Sequence, residues 1–143
     1  MGHYLPATVY FAGQWYWGID RLEHLEKRLV GLGFNQQPYL KSKYARSWEH
    51  FCAKPSHAVT DKTQPIELFF SMRSPYSHLA LNRCHELASH YGVPLIIKPV
   101  LPMLMRNLSV PKNKTRYIFF DALREGQKLN TPYGKVADPL GKG

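Results

Sequence analysis

Residues 65–100 read PIELFFSMRSPYSHLALNRCHELASHYGVPLIIKPV, with an apolar run at each end of a longer mixed segment. The first run, residues 66–70, combines aliphatic and aromatic side chains, which is typical of a strand. The second run, residues 95–100, predicts another strand, and its aliphatic composition predicts that it is buried. With a helix between them, the two strands predict a βαβ unit, which pairs them in parallel with a right-handed connection.

The segment between the two runs carries start and stop signals for a helix. Ser74 is a good N-cap, and Pro75 suits the first helical position. Gly92 is typical of the residue that ends a helix, and Pro94 follows it. The apolar stripe of this helix is predicted to contain Leu79, Ala80, Arg83, Cys84, Leu87, Ala88 and Tyr91. Residues 114–129 predict a further helix after the second strand.

The beginning of the chain predicts a hairpin and a helix. Residues 7–11 and 14–17 are rich in β-branched and aromatic side chains, and an Ala-Gly pair between them favours a tight turn. Asp20 and Glu23 have the spacing of a capping box, which predicts that Asp20 caps an amphipathic helix. The apolar face of that helix is predicted to contain Leu22, Leu25 and Leu29, with Glu23 on another face.

The chain is therefore predicted to have three parts. Residues 1–34 form the hairpin and helix, residues 35–64 form a linker with a short helix over 42–51, and residues 65–143 form the βαβ unit and its trailing helix. A hairpin with one helix is too small to bury an independent core. A βαβ unit with one trailing helix leaves a sheet edge and a helix face uncovered. The fold class is α/β, incomplete or circularly permuted.

The composition indicates a globular protein with a basic surface. The chain has 143 residues, of which 44% are hydrophobic and 20% are charged, and its net charge is +9. The basic excess favours anionic ligands, but no nucleic-acid-binding motif accompanies it, so nucleic acid is not an expected partner. No signal peptide and no apolar stretch of membrane-spanning length are visible, so no membrane partner is expected. Cys52 and Cys84 form no Cys-x-x-Cys pair, which favours reduced thiols in the cytoplasm.

The segment Ser74-Pro75-Tyr76-Ser77 is the part of the sequence best suited to chemistry. It opens a helix after a strand, and helix N-termini favour anions. A cysteine there would have a lowered pKa, as in thioredoxin-like Cys-x-x-Cys sites. Serines occupy both cysteine positions here, so the segment cannot exchange disulfides, but Ser74 can donate a hydrogen bond to the thiolate of a ligand. The alternative is that Ser74 only caps the helix.

Residues 65–141 resemble the first half of the glutathione-dependent thioredoxin-like family that includes 2-hydroxychromene-2-carboxylate isomerase and kappa-class glutathione transferase, relatives of DsbA. The similarity rests on IELFF at 66–70, SPYSHLA at 74–80 and KPVL at 98–101, and it continues through VPK at 110–112 to Asp121. The resemblance implies a thioredoxin-like fold, glutathione as cofactor, and Ser74 as the residue that activates its thiol. Further contacts to glutathione would come from Pro75, Ser77, Asn107 and either Lys112 or Lys114.

The beginning of the chain resembles the last third of the same fold. Residues 2–8 resemble a Gly-x-x-x-Pro-Thr segment whose proline, Pro6 here, is cis. The resemblance implies that Leu5 offers its backbone to the cysteinyl part of glutathione. Residues 18–22 resemble a Gly-x-Asp-Arg-Leu segment, in which the acid, Asp20, meets the γ-glutamyl amine. Ile19 departs from the pattern, because kappa enzymes have serine at that position.

The two halves of the fold thus occur in inverted order. The chain resembles either a piece of a tandem protein, with the end of one domain and the beginning of the next, or a circularly permuted single domain. In the second case Leu5, Pro6 and Asp20 could face Ser74 within one chain or across a homodimer.

The predicted function is that of a glutathione-dependent isomerase or transferase of the 2-hydroxychromene-2-carboxylate isomerase type, acting on a small anionic or aromatic substrate. One alternative is a binding or structural module that keeps a thioredoxin-like fold without the chemistry. Another is a DsbA-type oxidoreductase in a longer protein, against which the serines at 74 and 77 argue. No metal site is predicted, because His85 and His90 are five residues apart and fall on different faces of a helix.

Overall fold

The chain is described by a computed structural model over residues 5–34, 36–37, 44 and 64–134. Its architecture there is mixed α/β, with three α-helices and two small sheets. The chain divides into two compact units, Met1–Phe51 and Cys52–Gly143. The short helix predicted over residues 42–51 lies outside the described residues, apart from Tyr44.

The first unit begins with the predicted hairpin, which is confirmed. Strand β1 (Thr8–Phe11) pairs antiparallel with β2 (Gln14–Trp17). The turn residues Ala12 and Gly13 have φ angles of 43° and 85°. Two-residue hairpins prefer such left-handed turns because their twist matches that of the strands. Gly13 adopts this conformation without steric cost, whereas Ala12 carries some strain.

The helix that follows starts differently from the prediction. A 3-10 turn (Ile19–Arg21) comes first, and helix α1 (Leu22–Gly31) has Arg21 at its N-cap position. The prediction that Asp20 caps α1 is therefore wrong, because helical backbone already begins one residue before Asp20. Asp20 instead accepts a hydrogen bond from Arg21 Nη1 at 2.6 Å. Gly18, with φ 76°, makes the bend that permits this early start.

The interior of the first unit also differs from the predicted apolar stripe. Tyr16 on β2 is the largest fully buried hydrophobic side chain of the described residues, at 1% exposure. Glu23, predicted to lie off the apolar face, is buried on α1, while Leu25 and Leu29 are half-buried. The carboxylate of Glu23 is stabilised by an ion pair with Lys27 Nζ at 2.6 Å. One turn of helix separates the two residues, which is the spacing that lets the pair form.

Arg28 joins helix α1 to the hairpin. Its Nη2 donates to the carbonyl oxygen of Ala12 at 2.9 Å, and its Nη1 lies 3.3 Å from both the Phe11 carbonyl oxygen and Tyr16 Oη. The guanidinium also lies 5.5 Å from the centre of the Phe11 ring. One side chain thus satisfies carbonyl groups at the turn and holds the helix against it.

We expect Arg28→Met to lower the stability of the first unit by about 1 to 3 kcal/mol, because the turn carbonyls lose a charged donor. Two of the three tryptophans of the chain, Trp15 and Trp17, lie on β2 of this unit. Tryptophan fluorescence during urea unfolding therefore reports on it. Arg28→Lys keeps the charge but not the forked donor geometry, so its stability should lie between that of the wild type and that of Arg28→Met. Equal midpoints for Arg28→Met and the wild type would contradict the role of Arg28.

The second unit contains the predicted βαβ arrangement. Strand β3 (Ile66–Phe70) pairs in parallel with β4 (Leu95–Pro99), and helix α2 (Pro75–Tyr91) connects them. Ser74 caps α2 with its side chain, and Gly92 ends the helix with φ 64°. These two predictions are confirmed. Helix α3 (Lys112–Lys128) follows and begins two residues before the predicted start.

The core of the second unit lies between α2 and α3. Leu79 and Ala88 of α2 are buried, as are Tyr117, Asp121 and Ala122 of α3.

Two predictions of burial in this unit are wrong. Strand β4 was predicted to be buried, but its Ile96 and Ile97 are exposed. Leu87 of the predicted apolar stripe of α2 is exposed as well. The described sheet of this unit has two strands, so both strands are edges and β4 reaches solvent. The aromatic residues Phe69, Phe119 and Phe120 are also exposed.

Within the described ranges, no helix has the length and apolar character needed to cross a bilayer. Across the same part of the chain, His, Cys, Asp and Glu side chains form no group of three or more that could hold a metal ion. Cys84 of α2 is half-buried with a free thiol.

Candidate functional site

Three serines organise the loop between β3 and α2. The backbone N–H of Ser74 donates to the carbonyl oxygen of Ser71 at 3.0 Å, which closes a turn. Ser74 Oγ accepts from the backbone N–H of Ser77 at 3.3 Å, and Ser77 Oγ accepts from the backbone N–H of Ser71 at 3.2 Å. Pro75 occupies the first helical position between them. The sequence therefore places Ser74, Pro75 and Ser77 in one turn, as predicted.

The hydroxyl groups of this turn keep donor capacity. A serine hydroxyl has one O–H donor and two acceptor lone pairs. Ser74 and Ser77 each accept a backbone hydrogen bond, and in the described part of the chain neither hydroxyl donates to a protein acceptor. Both side chains are half-buried at the positive end of the α2 dipole. The turn can therefore donate hydrogen bonds to an anion, but it holds no sulfur for disulfide exchange.

A buried carboxylate lies behind this turn. Asp121 on α3 is 0% exposed. Its Oδ2 accepts a hydrogen bond from Tyr76 Oη at 2.7 Å, and its Oδ1 lies 3.2 Å from Tyr117 Oη and 3.1 Å from Arg124 Nη2. Tyr76 belongs to the same four-residue segment as Ser74 and Ser77. The network thus connects the first turn of α2 to α3.

Sequence reasoning missed this network, although part of its signal was present. Tyr117, Asp121 and Arg124 have helical spacing, which places them on one face of α3. The partner on α2, Tyr76, is 45 residues away from Asp121 in the chain. Only the packing of the two helices brings that tyrosine to the carboxylate.

The predicted asparagine and lysine contacts lie at the loop before α3. Asn107 is exposed and ends a 3-10 turn (Met103–Arg106) with φ 55°. Lys112 is exposed at the first position of α3. Lys114 is half-buried, and its Nζ lies 3.8 Å from Met103 Sδ. Of the two candidate lysines, Lys114 is therefore the one that contacts the turn ending at Asn107.

The remaining predicted site residues belong to the first unit, and one prediction about them is wrong. The described residues contain no cis peptide bond, so Leu5–Pro6 is trans rather than cis. The chain bends instead at Ala7, which has φ 55° and whose carbonyl oxygen accepts from the N–H of Gly18 at 3.0 Å. The Leu5 carbonyl oxygen accepts from Thr8 Oγ1 at 3.4 Å. Contacts of Leu5, Pro6 and Asp20 with glutathione stay a prediction.

An open depression of about 430 Å³ lies at the end of α3, and none of the predicted site residues lines it. Its lining includes Gly126, Thr131 and Tyr133. Burial raises the pKa of the Tyr133 hydroxyl above its usual value. A side chain at Gly126 would crowd the depression, because its Cβ would lie 3.1 Å from Tyr133 Cβ.

Comparisons of this chain with protein-family models, curated proteins and solved structures found no match. The resemblance to the glutathione-dependent thioredoxin-like family therefore rests on the quoted residues alone.

Proposed function

We propose that this chain binds glutathione at the Ser71–Ser77 turn and acts as a thioredoxin-like, glutathione-dependent isomerase or transferase. The observation that carries the proposal is the state of Ser74. Its Oγ accepts the Ser77 N–H at the N-terminus of a 17-residue helix, and its O–H remains available as a donor. A thiolate bound there would receive a hydrogen bond from Ser74 in the field of the helix dipole.

The same geometry defines the chemical step. A hydrogen bond to the thiolate and the positive helix end both favour the charged form, so they lower the pKa of the glutathione thiol. The thiolate sulfur then forms a bond to an electrophilic carbon of a conjugated or aromatic acid, while the π bond at that carbon breaks and its electron pair moves into the conjugated system. In an isomerisation the electron pair returns to reform the double bond, and the carbon–sulfur bond breaks to release the thiolate. In a transfer the electron pair takes a proton from water, and the carbon–sulfur bond persists in the product. The net charge of +9 suits an anionic substrate.

Asn107 and Lys114 are the proposed supporting contacts in the same unit. Lys114 contacts Met103, the first residue of the 3-10 turn that Asn107 ends. Such groups suit the carboxylates of the tripeptide. Lys112 is the alternative lysine, and it is exposed two residues earlier, at the first position of α3.

The test is a calorimetric titration of the full chain with glutathione. We expect Ser74→Ala to weaken binding by about tenfold to a hundredfold, the effect of losing a hydrogen bond to a charged group. The same substitution removes a helix cap and costs stability as well, about 1 kcal/mol. Ser74→Thr retains both the hydroxyl and the cap, so it should restore binding. Ser89→Ala, an exposed serine near the other end of α2, should bind like the wild type.

Two outcomes would contradict the proposal. If the folded wild-type chain binds no glutathione, the turn is a structural cap and the chain fits the alternative of a non-catalytic module. If Ser74→Ala binds as tightly as the wild type, any glutathione site lies elsewhere. Circular dichroism of each variant shows whether the helices are intact.

A further inference from the structure

The buried carboxylate of Asp121 has partners on two helices. A buried charge is costly unless it is paired and hydrogen-bonded. Arg124 supplies the pairing charge on the same helix, at 3.1 Å. Tyr117, also on α3, supplies a hydroxyl at 3.2 Å. The shortest of these contacts, at 2.7 Å, comes from the other helix, from Tyr76.

Tyr76 sits between the two serines whose hydrogen bonds define the candidate site. Ser74 and Ser77 are joined by a hydrogen bond from the Ser77 N–H to Ser74 Oγ. Helix first turns fray readily because their N–H groups lack partners within the helix. A side chain fixed at Tyr76 restrains the backbone on both sides of it. A restrained backbone in turn limits the positions that the Ser74 side chain can take.

We propose that Asp121 is a positioning residue, which acts through Tyr76 to hold the first turn of α2 and so orients the Ser74 hydroxyl towards a bound thiolate. The last step rests on the proposed function, whereas the restraint of the turn does not. Asp121 touches neither the ligand nor the reacting atoms in this proposal. Its effect passes through one hydrogen bond between two helices.

Tyr117 offers a matched control for Tyr76. Both tyrosines present a hydroxyl to the same carboxylate, so Tyr76→Phe and Tyr117→Phe remove the same chemical group from it. Tyr117 belongs to α3 itself, four residues before Asp121, and its loss leaves the contact between the helices in place. A purely structural role for the network predicts similar effects of both changes. A positioning role predicts an effect at the Ser74 turn from Tyr76→Phe alone.

The experiment measures hydrogen exchange of the Ser77 amide and glutathione binding in both variants of the full chain. We expect Tyr76→Phe to speed Ser77 amide exchange about tenfold, the effect of one lost hydrogen bond, and to weaken glutathione binding about fivefold to tenfold. Thiolate ultraviolet absorbance should show a higher pKa for the bound thiol in Tyr76→Phe. Tyr117→Phe should change each quantity by less than about twofold.

The outcomes separate this inference from the proposed function. Equal Ser77 exchange in the two variants would overturn the positioning role, even if Ser74→Ala still abolishes binding. If Tyr76→Phe speeds exchange of the Ser77 amide but leaves glutathione binding unchanged, Asp121 restrains the turn only. That result would overturn the proposed effect of Asp121 on the bound thiolate. If the wild type binds no glutathione, the proposed function fails, and the exchange rates alone still support or refute the restraint of the turn by Asp121.

Discussion

Asp121→Ala should lower the stability of the second unit by about 3 to 5 kcal/mol. The carboxylate is fully buried, and its removal eliminates the ion pair with the Arg124 guanidinium, which is 16% exposed. The hydroxyls of Tyr76 and Tyr117 lose an acceptor at the same time. Leaving buried polar groups unsatisfied costs more than the hydrogen bonds themselves contributed. For many domains the total free energy of unfolding is only a few kcal/mol larger than this loss.

Circular dichroism during urea unfolding reports this change. In the described parts of the chain, helices α2 and α3 have 17 residues each and α1 has 10, so most of the described helix belongs to the second unit. Glu67→Ala is the matched control, because its carboxylate pairs with Lys98 at 2.5 Å while the side chains are 39% and 43% exposed. An exposed pair contributes at most about 1 kcal/mol. Similar losses for Asp121→Ala and Glu67→Ala would contradict the importance of burial.

Tyr16→Ala should unfold the first unit. Removing a large aromatic side chain from a packed interior costs about 3 to 5 kcal/mol. Tyr16 is 1% exposed, and Arg28 and Gln14 both contact its hydroxyl. A unit this small rarely holds more stability than that loss. Tryptophan fluorescence of the variant should therefore resemble that of the urea-unfolded chain, while the helical signal of the second unit persists.

Tyr10→Ala provides the comparison within the same hairpin. Tyr10 is 58% exposed and contacts Trp15 across the strands, with ring centres 4.7 Å apart. Such a pair contributes about 0.5 to 1.5 kcal/mol, so Tyr10→Ala should remain folded. Tyr16→Phe keeps the ring and removes the hydroxyl, so its stability should lie between those of Tyr16→Ala and Tyr10→Ala. A folded first unit in Tyr16→Ala would show that another part of this unit supplies its stability.

The elements whose signals are local were predictable. The Ala12–Gly13 turn, the Ser74 cap, Pro75 and the Gly92 end each depend on backbone conformations that neighbouring residues dictate. The parallel pairing of β3 and β4 also followed, because a helix between two strands leaves few other connections. The same local rules placed Ser74 and Ser77 in one turn.

Two of the failures concern residues with competing local options. Asp20 had the sequence spacing of a cap, but Gly18 begins the helical turn earlier. Pro6 stands before a bend that Ala7 makes with a left-handed φ. In each case two conformations satisfy the same short sequence pattern.

Local backbone chemistry determined where the strands, helices and caps of this protein lie, because each such choice involves only a few neighbouring residues. Tertiary packing decided which polar groups are buried. Asp121 is a fully buried carboxylate, and one of its partners, Tyr76 of α2, lies 45 residues away in the chain. Arg28 likewise found its partners 16 and 17 residues away, at Ala12 and Phe11. Burial depends on what covers a side chain, and that covering comes from residues distant in sequence.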